Sequence, residues 1–191
     1  MSVEQSSYTV FNHQRRIATG ELVQIASQVQ HVMTTDPQAQ ILAFADDTGI
    51  QTDVNWFDVP KPLEPSAVAQ VSEAEPPRKA GRPKLGVVAR EITLLPRHWE
   101  WLNQQSGGAS VALRKLVEDA RRANEGKDRI KRAQEATYRV MTAMAGNEVG
   151  FEEALRALYA GNQVQFKQIV QAWPVDIQTY LNQLAVNVFA G

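Results

Sequence analysis

Fourteen lysines and arginines fall between Arg78 and Arg132, and the chemistry they can do is recognition of negative charge. Residues 78–132 hold 14 Lys/Arg against 6 Asp/Glu, a net of +8. Residues 1–77 hold 3 against 10, a net of −7, and residues 133–191 hold 3 against 5, a net of −2. The formal charge of −1 for the 191-residue chain therefore conceals a basic centre between acidic flanks. Cations at this density attract polyanions, phosphate backbones above all, whatever the whole-chain charge. Catalysis has much less to draw on. The chain has no cysteine, which removes thiol nucleophiles, disulfides and thiolate metal sites. His13, His31 and His98 lie in separate segments without HExxH or comparable ligand spacing. Asp46-Asp47 suits a hairpin turn, and Glu152-Glu153 suits the positive end of a helix. The expectation is a protein that is not an enzyme, with no catalytic residues, metal or cofactor.

The basic centre contains its own order of local signals. Val87 to Leu95 (VVAREITLL) is a β-branched, apolar run of strand length, preceded by Gly86. Pro96 fits a first helical turn, where its missing N–H is harmless and its fixed φ is already helical. Leu95, Trp99 and Leu102 follow at helical spacing, and Ser106-Gly107-Gly108 then breaks the helix. A second helix is predicted from Ala109-Ser110, with Ser110 as its N-cap. Ala109, Leu113, Leu116, Val117 and Ala120 line one side of it. Arg114 with Arg121, and Lys115 with Arg122, repeat at i+7 on the other.

This strand, short helix, glycine turn and longer basic helix resemble the ribbon-helix-helix DNA-binding proteins over residues 87–122. The resemblance rests most on the Leu95-Pro96 junction and on GGASVALRKLV. It implies a homodimer in which two strands pair into an antiparallel ribbon that enters the major groove. It also implies that Gly108, Ala109 and Ser110 offer backbone N–H groups to a phosphate. Alternation places Ala89, Glu91 and Thr93 on one strand face and Val88, Arg90, Ile92 and Leu94 on the other. Glu91 and Thr93 would then face DNA, with Arg90 at the margin, and a one-residue slip would exchange the two sets. Glutamate is an unusual residue for that face of the ribbon, although it can accept from a cytosine amino group. Upstream, Arg78, Lys79, Gly81, Arg82, Pro83 and Lys84 form a segment that looks like an AT-hook. Such a segment implies an extended arm in an A·T-rich minor groove, where Arg82 follows the enhanced negative potential.

The flanking elements must position this centre. Residues 1–57 read as a small α+β domain with a ββαββ order. Tyr8–Phe11 and Arg16–Thr19 are strands about a polar turn, Glu21–Met33 is amphipathic, and Ile41–Ala45 with Gln51–Trp56 forms a hairpin. The domain's acidic surface argues against direct DNA contact and suits docking to a protein partner, oligomerisation or sensing. Residues 58–85 read as a Pro-rich linker whose basic end is the hook-like segment, and the strand-helix-helix occupies 86–125. Residues 126–191 read as a separate α-helical bundle, entered after Gly126 weakens the preceding helix. Gly146-Asn147, Gly161 and Pro174 divide that bundle into helices. The fold class is thus α+β with a helical C-terminal domain. The run of motifs over the whole chain also resembles an uncharacterised bacterial family carrying a domain of unknown function.

No apolar run approaches the ~20 residues that cross a bilayer, and the N-terminus lacks a signal-peptide pattern. The expected protein is a dimeric binder of double-stranded DNA in the bacterial cytoplasm, at the nucleoid, as transcriptional regulator or nucleoid-associated protein. The alternative is a protein-interaction adaptor whose basic helix meets an acidic partner.

Overall fold

The structure, a computed structural model, describes residues 6–60 and 88–190. These divide into two compact units, one made of 6–60 with 124–190 and the other of 88–123. The hook-like segment Arg78–Lys84 and nearly all of the Pro-rich linker lie outside the described residues.

In the first unit, Tyr8–Asn12 (β1) and Arg15–Gly20 (β2) form a hairpin. Leu22–Thr35 (α1), Ile41–Ala45 (β3) and the two-residue Gln51–Thr52 (β4) follow. The sheet is antiparallel, in the order β2-β1-β3-β4. Val10 pairs with Ala18 but Phe11 with Arg16, so Ile17 is the extra residue of a bulge. Period-two alternation gives the sheet two apolar faces. Val10, Ala18 and Ala43 meet Ile25, Ala26 and Val29 of α1, with Trp56 folded over the same side. Trp56 belongs to a turn and not to a longer β4. Gln30 of α1 holds its carbonyl at 2.5 Å.

Phe11 and Phe44 point the other way, into helices from the far end of the chain. That layer contains residues 124–145 of Gly108–Ala145 (α3), Phe151–Tyr159 (α4), Gln163–Val170 (α5), Val175–Leu184 (α6) and Val186–Phe189 (α7). Phe11 and Phe44 share one buried core with Val140, Met141, Leu158, Phe166, Ile177 and Tyr180. The sheet therefore completes the helical core, where the sequence alone suggested two separate domains. Gly126 does not interrupt α3, which runs continuously through 38 residues. One interior glycine costs only about 1 kcal/mol relative to alanine, and continued helical hydrogen bonding outweighs it.

Polar contacts fix the helical layer on the sheet. The Tyr180 hydroxyl donates to Asp46 Oδ1 at 2.8 Å. The Arg16 backbone N–H donates to Asp176 Oδ2 at 2.9 Å, and Arg139 Nη1 donates to the Thr48 carbonyl at 2.6 Å. Gly49 makes the β3–β4 turn at φ 64, packed so closely on α3 that an added Cβ would overlap the Ala136 carbonyl.

Two stability predictions follow from these contacts. Gly49→Ala meets both a left-handed φ and a backbone overlap, so it should destabilise the protein by about 3 kcal/mol or more, read as a lowered urea midpoint. A midpoint unchanged from wild type would refute this packing. Burial first, and the Asp46 carboxylate second, hold the Tyr180 hydroxyl far above the ordinary tyrosine value of 10.0. Its folded-state value is raised, so its contribution is complete below the unfolded value and is lost as pH climbs past it. Tyr180→Phe should cost about 1–2 kcal/mol at neutral pH. It should also lose less stability than wild type between about pH 9 and pH 11. Parallel alkaline slopes for the two proteins would contradict the assignment.

Candidate nucleic-acid interface

The second unit joins a non-helical segment, residues 88–95, to Pro96–Asn103 (α2) and the start of α3. Pro96 opens α2 with Leu95 as its extended N-cap. The chain turns through Gly107 and Gly108 at φ 87 and 74, a pair of left-handed positions that glycine adopts without strain. The first is also tight, since an added Cβ on Gly107 would press on the Val111 side chain at 3.1 Å.

Residues 88–95 form no ladder among the described residues. A strand needs a neighbour for its N–H and C=O groups, and this unit contains no other strand among the described residues. Among the described residues the segment is therefore not a strand, although the sequence reads as one. Arg90, Glu91 and Thr93 are all exposed there. Ile92, on the face expected to pack, is 49% exposed, and Leu95 47%.

Helix α3 starts at Gly108 and not at an N-cap Ser110, which lies within its first turn. The Gly108 N–H donates to the Gln105 carbonyl at 2.9 Å, closing the turn, so it is already engaged and not free for a phosphate. Ala109 and Ser110 still fall where a helix leaves its N–H groups without intrahelical acceptors.

The cations of α3 differ in how they are held. Arg114, Lys115, Arg121 and Arg122 are exposed. Arg114 Nε donates to the Ser110 carbonyl at 3.1 Å. Arg121 grips Glu118 with two hydrogen bonds, at 2.8 and 3.2 Å. Arg122 Nε reaches the same carboxylate at 3.4 Å. The Arg121 guanidinium holds the Glu118 carboxyl below the usual carboxylate range. One carboxylate thus partly neutralises two candidate phosphate contacts. Glu118 is not among the expected site residues, although its i+3 and i+4 spacing to Arg121 and Arg122 is a signal visible in the sequence.

Beside these charges the unit has almost no core. Among the described residues 88–123, Leu102 alone is buried. Leu94, His98, Trp101, Leu102, Leu113 and Leu116 line an open apolar depression of about 280 Å³. Trp101 and Leu116 are about half exposed. The eight residues of α2 and the first turns of α3, with one buried apolar residue described among them, bury too little to offset their own ordering entropy.

No described helix is long and apolar enough to cross a membrane, and no group of three or more His, Asp or Glu among the described residues could hold a metal ion. Glu118→Gln should free Arg121 and Arg122 for phosphates and remove one repelling charge. If this surface meets duplex DNA, the variant should bind random-sequence duplex several-fold tighter at low salt, with the gain fading as salt rises. Unchanged or weaker binding would mean that these arginines do not face the nucleic acid.

No curated protein and no solved structure matches the chain. A family model does match over residues 7–185, under the description "Uncharacterized protein conserved in bacteria (DUF2239)".

Proposed function

The chain belongs to this bacterial family, DUF2239, and we propose that it is a homodimeric protein that binds double-stranded DNA, acting as a transcriptional regulator or nucleoid-associated protein. The observation that carries the reading is the incomplete second unit. Ile92, Leu95, Trp101 and Leu116 are exposed on the segment whose charge is strongly positive, and Leu102 alone is buried among the unit's described residues. A second copy would supply the strand that residues 88–95 lack and cover the apolar depression. The paired segments would then form a ribbon-helix-helix reader, with Arg90, Glu91 and Thr93 toward the major groove. Arg114, Lys115, Arg121, Arg122 and the first turn of α3 would lie along the phosphates. The hook-like arm about Arg82 would add a broad preference for A·T-rich minor groove.

The test combines sedimentation with fluorescence anisotropy on duplex DNA across a salt series. A dimer engaging about six phosphates should give a log–log slope near −5, from roughly −0.9 per phosphate. Ile92→Pro removes a ladder N–H and should abolish dimer and DNA binding together. Arg82→Ala should weaken A·T-rich probes more than G·C-rich ones. A flat salt response with retained binding to an acidic peptide would assign the basic helix to protein interaction. A variant Ile92→Pro that remains dimeric and binds normally would eliminate the ribbon.

A further inference from the structure

The first unit contains a cavity that the DNA-binding reading leaves unused. Its volume is about 520 Å³, within the range of about 300–1,000 Å³ typical of small-molecule sites. Its lining carries both signs of charge. Arg129 and Arg132 of α3 contribute two guanidinium groups, and Asp46 and Asp47, at the end of β3, contribute two carboxylates. These opposite charges are not spent on each other. Among the described residues no ion pair within 4.0 Å joins them. Arg132 donates Nε to the Asp128 carbonyl at 3.3 Å and keeps its other N–H groups.

The floor is built and buried. Tyr180 and Thr9 line it at 2% and 1% exposure. Tyr180 fixes one Asp46 oxygen at 2.8 Å, which aims the carboxylate and leaves its second oxygen as an acceptor. The Thr9 and Thr19 hydroxyls stand 3.2 Å apart. Gln183 of α6 and Asn187 of α7 add amide groups to the same lining.

We propose that this cavity binds a small zwitterion of amino-acid size, with its carboxylate on Arg129 and Arg132 and its ammonium on Asp46 and Asp47. A simple anion would meet two aspartates, and a simple cation two arginines. A ligand carrying both charges satisfies both pairs of side chains, with charge-assisted hydrogen bonds at each end. The threonine hydroxyls and the two amides then suit a ligand whose side chain is itself polar and able both to donate and to accept. The site involves none of the residues assigned to DNA, so its test is independent of that reading.

The experiment is calorimetric titration of the full chain with three probes: L-glutamine, glutaramate (the same skeleton without the α-amine) and 4-aminobutanamide (the same skeleton without the carboxylate). L-Glutamine should bind with a Kd of about 1 mM or tighter. Each probe lacking one charge should bind at least about tenfold more weakly, a difference of about 1.4 kcal/mol. Arg129→Gln combined with Arg132→Gln should weaken L-glutamine by about tenfold or more, and so should Asp47→Asn alone. These side chains are exposed, and unchanged circular dichroism and urea midpoints would establish that the variants remain folded. Absence of L-glutamine binding at about 10 mM, or equal binding of glutaramate and L-glutamine, overturns the proposal.

Discussion

The sheet of this protein is buried on both faces, and the first unit depends on that constraint. Four short strands, one of them two residues long, cannot sustain themselves. α1 covers one side, and the helices that follow residue 124 cover the other. Phe11, Phe44 and Tyr180 form the joint, with ring centroids 5.6–6.5 Å apart. Burial of three aromatic rings supplies the affinity. The Tyr180–Asp46 hydrogen bond supplies the register, because it is satisfied only when α6 meets the end of β3 in one position.

That joint also accounts for the cavity beside it. The same tyrosine that closes the apolar core turns its hydroxyl toward a polar recess, so one residue marks the boundary between packing and chemistry. Asp46 is drawn to the recess by its hydrogen bond, and α3 passes close enough to add its arginines to the lining. The acidic composition near the start of the chain suggested docking, oligomerisation or sensing, without specifying a ligand. Packing against α3 gives part of it a mixed electrostatic setting instead.

The second unit follows a different economy. Its helices are set by local signals: proline at N1 of α2, two left-handed glycines, and an amphipathic start to α3. Its tertiary burial is small, and its charge is dense. On the proposed reading, such a segment would gain its remaining stability from what it binds, through mass action. A second chain and a polyanion would answer different parts of that deficit, since one would cover apolar surface and the other neutralise charge.

The sequence by itself determined most element positions. Helix and strand periods, Pro96, Pro174, Gly107-Gly108, Gly146 and Gly161 are local signals, legible because they act through φ, ψ and hydrogen bonding within a few residues. It also determined the charge division on which the nucleic-acid reading rests. Only the tertiary structure decided that strands near the start share a core with helices near the end. Alternation tells that a residue such as Phe11 faces away from α1, but not what it faces. It decided that α3 continues through Gly126, where a local cost of about 1 kcal/mol is overruled by the rest of the helix. It decided that Gly108 spends its N–H on Gln105, and it brought Asp46, Arg129, Arg132 and Tyr180 to one cavity. Contacts between residues more than eighty positions apart leave no periodic trace in sequence, because they arise from surfaces that exist only after the elements have packed.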